Sequence, residues 1–180
     1  LDRAQIEGVY LEDLHKDTLL YVEEMHVNLD DIFLGFTHFS FDEVKLKNGQ
    51  FNVRQFAGEE DLNIQFLLDF INGPRDTTKK VRPKPPEIFF WKLDLDHVDF
   101  TYEYRDSIHD TVQGFDQNLI RIRDINASLK RFMIVNDSLS GELRNLQCND
   151  PNGFVIRRMD TDFIISYTMM DFASLNLQTP

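Results

Sequence analysis

The chain has 180 residues, 31 acidic against 19 basic, and a formal charge of −12. That balance excludes the basic footprint by which a nucleic-acid binder releases counterions, and equally a surface held on anionic lipid by charge alone. Hydrophobic residues make up 42%, enough for a sizeable core in one domain or two small ones, and sixteen Phe against one Trp favours sheets with an apolar face.

The opening stretch, "LDRAQIEGVYLEDL", has no initiator Met and no signal peptide, and reads as a segment of a longer protein. No apolar run approaches the roughly 18 residues of a membrane span. Ile6, Val9 and Leu11 introduce a spacing, apolar-x-x-apolar-x-apolar, that recurs along the chain. "LLYVEEMHVNLD" follows as a strand, and Phe41, Val44 and Leu46 repeat the spacing. "VKLKNGQFNV" predicts a hairpin, because Asn48-Gly49 is a favoured two-residue turn. In "EEDLNIQFLLDFINGP", Leu62, Phe66 and Phe70, with Leu67 and Ile71, fall on one helical side, and Asn72-Gly73-Pro74 stops the pattern. One short helix near 61–71, packed on the sheet, is therefore expected. Residues 72–87 hold four of the six prolines and five basic residues, the composition of a long solvated loop that offsets local acidity.

Residues 88–180 read as further strands. In "WKLDLDHVDFTYEY", Trp91, Leu93 and Leu95 alternate with polar residues, and the phase then slips by one before Val98, Phe100, Tyr102 and Tyr104. The slip returns at Ile122/Ile125/Ala127, Leu143/Leu146/Cys148 and Phe172/Leu175/Leu177. "SLKRFMIV", "DSLSGELRNL" and "TDFIISYTMMDF" are strand candidates, with a loop at Asn149–Gly153. One extra residue between two alternating halves is what a β-bulge supplies: the strand bends while both halves keep one face apolar. A corner between two strands would serve as well. The copies are irregularly spaced, so this is a weak internal repeat and not a solenoid period. The expected class is mainly β, a bulged antiparallel sheet with one short helix, in a single segment over 1–180.

Signals of catalysis are missing: no nucleophile elbow, no H-E-x-x-H, no phosphate loop and no dinucleotide glycine motif occurs. The five histidines lack metal-ligand spacing. Asp94, Asp96, His97 and Asp99 lie close together, but no glycine-containing loop adds the oxygens calcium wants, and a solvated strand face that resists edge pairing accounts for them better. Cys148 sits at an apolar position of the repeat and reads as a buried, inert thiol. No enzyme activity, metal or cofactor is expected. What remains is the apolar face, and periodicity does not distinguish a closed core from an open groove.

Residues 9–30, "VYLEDLHKDTLLYVEEMHVNLD", resemble the amino-terminal region of TamB-like proteins of the AsmA superfamily, in their Bacteroidota-type form. The likeness rests on Asp13, Asp17-Thr18-Leu19-Leu20-Tyr21 and Val27, and continues through "FDEVKLKNGQFNVRQF", "LNIQFLLDFI", a Pro-rich loop and "LDLDHVDFTYEY". It covers at least 1–104, and the later strands follow it more loosely.

The resemblance implies a periplasmic bridge, held in the inner membrane by a helical anchor absent from this chain. Its strands would curl into an open apolar groove carrying phospholipid acyl chains towards the outer membrane. A BamA-like outer-membrane barrel would be reached through parts of the parent chain not present here. On that reading Phe41, Leu46, Leu93, Leu95, Val98, Phe100, Leu146 and Leu175 line the lipid path, and the slips are bending devices. A scaffold for outer-membrane protein assembly, offering a strand edge and conducting no lipid, is the alternative. An unrelated enzyme or carbohydrate-binding β-domain would instead show a polar cleft with converging acids.

Overall fold

A computed structural model describes residues 3–28, 33–34, 38–67, 87–104, 116, 118–135, 138–166 and 168–180. They form nine strands: β1 (Arg3–Glu12), β2 (Thr18–Asn28), β3 (Phe33–Leu34), β4 (His38–Gln55), β5 (Glu87–Tyr104), β6 (Leu119–Val135), β7 (Ser138–Asn149), β8 (Val155–Ile165) and β9 (Met170–Gln178). All belong to one mixed, open sheet in the order β1-β2-β4-β5-β6-β7-β8-β9, with the short β3 also on β4. The mainly β expectation holds. Its antiparallel form is corrected at one place. β4 and β5 are parallel, from His38 beside Glu87 to Gln55 beside Tyr104. A parallel pair cannot be joined by a tight hairpin, and residues 56–86 separate the two strands in sequence.

Three local expectations also change. Asn48-Gly49 is not a hairpin turn. β4 runs through it as one 18-residue strand, paired with β2 on one side and β5 on the other. A two-residue type I′ turn needs positive φ at both central residues, and here Asn48 has it (49°) while Gly49 does not. The stretch expected as the strand "TDFIISYTMMDF" is the end of β8, a turn closed by Ser166 N–H to Met169 O (2.8 Å), and the start of β9. In the region of the expected helix, 61–64 are not helical and 65–67 are, while 68–71 lie outside the described residues. The reason is Asn63, which extends the end of β4 instead. Its N–H donates to Arg54 O (2.7 Å), and its Oδ1 accepts from Arg54 N–H (2.9 Å). The loop expected at 72–87 lies outside the described residues apart from Glu87, which already belongs to β5. The turn after β7 is as expected, with Asp150 Oδ1 accepting the N–H groups of Asn152 and Phe154.

The slips are real, and their mechanism is a left-handed residue. In five of the six copies of the spacing, the residue just before the second apolar position has positive φ: Gly8, His97, Asp124, Asn145 and Ser174. Between Leu95/Ala127 and Val98/Ile125, residues 96 and 97 of β5 stand opposite residue 126 of β6. One step on, between Val98/Ile125 and Phe100/Ile122, two residues of β6 stand opposite Asp99. The same exchange continues through β7, β8 and β9, so the bulges step across the sheet from strand to strand.

A bulge frees a backbone N–H from the ladder, and neighbouring side chains take it up. His97 N–H donates to Asn126 Oδ1 (3.1 Å), Asp124 N–H to Asp99 Oδ1 (2.9 Å), and Asn145 N–H to Asp160 Oδ1 (2.8 Å). In the copy at Phe41/Val44/Leu46 no residue is left-handed; in β4 that role falls to Asn48, between Leu46 and Gly49.

Candidate functional site: an uncovered apolar face

Cross-strand partners point to the same side of a sheet, so the register builds the face row by row. Ala4, Val27, Val44, Leu93, Leu129, Leu143 and Thr161 form one row. Ile6, Met25, Leu46, Leu95 and Ala127 form the next, and Leu146, Met159 and Leu177 continue it. Beyond the bulges come Val9, Val22, Gly49, Val98 and Ile125, then Leu11, Leu20, Phe51, Phe100 and Ile122. On the other side, Phe39, Ile88, Ile134, Leu139, Ile165 and Met170 make a further row.

Between that row and the Val44–Leu93 row lies an aromatic one. Phe41 stacks on Phe90 (ring centroids 5.1 Å), Phe90 on Phe132 (6.0 Å), and Phe132 meets Phe163 (6.4 Å). Phe132 reaches this face because Arg131 is left-handed (49°), which repeats the slip at Leu129/Phe132/Ile134. Gly141 lies between Phe132 and Phe163, and a Cβ there would stand 3.1 Å from Phe132 Cα. Glycine lets β7 approach the bulged strand this closely without displacing it.

The register thus places Leu46, Leu93, Leu95, Val98, Phe100 and Leu146 on one face, the ring stack brings Phe41 to it, and the slip after Ser174 brings Leu175. Trp91 departs from the expected alternation. It is 55% exposed and meets Phe89 edge-on (4.9 Å), on the side opposite Phe90. The strand slips between Phe90 and Leu93 as well, a step that counting from Trp91 hides. The aromatic row was missed for that reason, although Phe90/Leu93/Leu95 carries the same spacing.

No described strand covers this face. Among the described residues, strands touch only their hydrogen-bonded neighbours, so there is one layer and no second sheet. Val98 is buried (7% exposed), whereas Phe41, Leu46, Leu93, Leu95, Phe100 and Leu146 are half-buried and Leu175 is 52% exposed. The apolar rows cross eight strands, about 34 Å at ordinary strand spacing.

The other face carries the ion pairs, beside exposed apolar side chains such as Trp91 and Met133. Glu24 pairs with Lys47 (3.1 Å), Lys45 with Asp96 (2.9 Å), Lys92 with Glu43 (2.6 Å) and Asp94 (2.9 Å), and Arg144 with Asp162 (2.7 Å). The acidic cluster weighed as a metal site is divided among such contacts. Asp94 and Asp96 face lysines, Asp99 accepts a bulge N–H, and His97 Nδ1 meets Asp124 Oδ1 (2.5 Å). That hydrogen bond and the charge of Asp124 hold the imidazole pKa above its ordinary value. Burial, with a contribution from Asp150, pushes the Cys148 thiol up, so it is protonated at neutral pH.

One end of the sheet is fastened by a buried polar network. Asp13 (5% exposed) accepts from His15 N–H, Asp17 N–H and the Asn63 amide, each at 2.9 Å. Asp17 pairs with Arg54 (3.0 Å), and Leu19 is fully buried. Asp13, Asp17 and Leu19, three of the residues that carry the family resemblance, are thus bonded or buried at the β1–β2 turn. No helix of the described residues is long and apolar enough to cross a membrane. Comparisons with protein-family models, curated proteins and solved structures find no match to this chain.

Proposed function

We propose that this chain is a segment of a TamB/AsmA-like periplasmic bridge whose apolar face carries phospholipid between inner and outer membranes. The observation that carries the reading is an apolar face several rows deep that no described strand covers, backed by a face that carries the ion pairs. An acyl chain laid across such rows gains about 0.8 kcal/mol per methylene taken from water. Binding then needs no specific polar contact, and weak selectivity for the headgroup follows. The role is transport and not catalysis, with acyl chains as the ligand and no metal or cofactor. The sequence likeness at Asp13 and Asp17–Tyr21 supports the same assignment.

The scaffold reading has its own support in the two outer strands, β1 and β9, whose far sides have no partner among the described residues. An exposed edge can pair with a strand of an outer-membrane protein or its BamA-like partner. Mass spectrometry of an organic extract of the purified chain separates the two. Lipid conduction predicts bound phospholipids of mixed headgroup; an extract free of lipid contradicts it and leaves the scaffold.

A further inference from the structure

We propose that the outer face, opposite the apolar rows, binds a basic peptide segment of a partner protein and takes one large apolar side chain of it beside Phe89, Met133 and Ile164. The inference does not depend on lipid binding. Over much of β2, β4 and β5 the outer face is occupied by ion pairs such as Glu24–Lys47 and Lys45–Asp96. Towards the start of β5 that pattern stops. Phe89 stands beside Met133, Met133 beside Ser140 and Ser140 beside Ile164, one row across β5, β6, β7 and β8. All four strands are paired on both sides.

Trp91 follows on the same side of β5 and meets Phe89 edge-on. It is 55% exposed, Ile164 43% and Met133 39%. One apolar side chain in water is ordinary, but a contiguous group on a polar face marks an interaction surface. Trp is also among the residues that anchor interfaces most often. The row borders a hollow of about 370 Å³, at the lower end of the range for binding pockets and roomy enough for a large side chain.

Charge decides what fits. Three carboxylates, Glu142, Asp162 and Asp171, line the hollow with one guanidinium, Arg131. Arg131 and Arg144 pair with Glu142, and Arg144 also with Asp162. Carboxylates still outnumber guanidiniums there, on a chain whose formal charge is −12. Such a field draws in a cationic partner, and it repels a second copy of this chain or an anionic membrane. A Lys or Arg next to the anchoring side chain would reach Asp162, whose own side chain is half exposed.

Trp91 is the one tryptophan of the chain, so its emission reads occupancy without a label. The probe is an amidated Gly/Ser peptide carrying a Phe flanked by two lysines. It should shift the emission to the blue in a saturable way. The same peptide with glutamates for the lysines, or with Ala for the Phe, should bind about tenfold more weakly or not at all. Met133→Gln/Ile164→Gln alters two exposed outer-face positions, leaves Trp91 as reporter, and should abolish the response while circular dichroism stays unchanged. A chain that does not respond to the lysine peptide overturns the proposal. So does an equal response to the glutamate peptide, or a response that survives in Met133→Gln/Ile164→Gln. A shift on raising the protein concentration alone, with a dimer in sedimentation, would give the surface to a second copy. A shift with phosphatidylglycerol vesicles and with none of the peptides would give it to a membrane. Either result overturns the proposal as well.

Discussion

Asn145 holds a φ of 54° in the middle of a strand, and its N–H is taken by Asp160. Left-handed backbone costs an L-residue about 1–2 kcal/mol, less for Asn, whose short side chain tolerates it. Asn145→Gly should therefore leave stability within a few tenths of a kcal/mol, while Asn145→Val, with a branched Cβ, should lose about 1–2 kcal/mol. Urea unfolding of the two variants checks this, and equal losses would mean the bulge is not held by backbone preference. Asp13 acts at the same scale. Burial raises its pKa, but hydrogen bonds from Asn63, Asp17 and His15 outweigh that, and the carboxyl sits below its ordinary 3.8. A depressed folded pKa contributes stability above the unfolded value, which is lost as pH falls through the folded one. Asp13→Ala should cost about 2–3 kcal/mol at neutral pH, and the deficit should shrink in acid below the unfolded pKa. A deficit that does not change with pH would contradict the charged assignment.

At the scale of the element, β1, β4, β5, β6, β7 and β9 are short amphipathic stretches joined through left-handed residues, one in each except β6, which has two. This was legible in the sequence wherever an apolar pair three apart was followed by a third two residues on, as at Leu95/Val98/Phe100. It was not legible at Leu46/Gly49/Phe51, because glycine fills the apolar position and Asn-Gly is also the strongest hairpin signal. Local turn chemistry and the sheet call for the same residue type, and only pairing on both sides of β4 decides between them. Trp91 misled for a related reason: an aromatic in phase with Leu93 looked inward, while the true inward residue is Phe90. The helix expectation is met at 65–67 and gives way at 61–64, where the Asn63 side chain binds a strand end and a buried carboxylate. Gly141→Ala should cost about 1–3 kcal/mol by driving a methyl against β6. Deleting His97 is a sharper test. It restores simple alternation in β5 and keeps Leu95, Val98, Phe100 and Tyr102 in phase, but removes the slip that matches Asn48 of β4 and the bulge opposite Asn126 of β6, so the strand falls out of register with both neighbours beyond Leu95 and stability should drop. A deletion variant as stable as the parent would mean the slip is not needed to align the strands.

For the whole molecule, the composition and the recurring spacing were enough to place the chain in the mainly β class, but not to say whether the apolar face closes on itself. That depends on whether a second layer exists. Periodicity within a strand carries no information on layers, because a core face and a groove face alternate alike. The parallel β4–β5 step was hidden too, since the direction of a strand is set by the crossover and not by its own residues. The eight residues chosen from the sequence share a face because their phase relative to each slip was readable one strand at a time. The rows joining them needed the register. The central claim, that this face is a conduit for lipid and not the lining of a core, is tested most directly at Phe100. A photo-reactive residue at position 100 should crosslink to phospholipid. In parallel, Phe100→Asp should abolish lipid binding while lowering stability by no more than about 2 kcal/mol, because a carboxylate on an uncovered face keeps its contact with water. No lipid adduct, together with global unfolding of Phe100→Asp, would show that the face is a closed core.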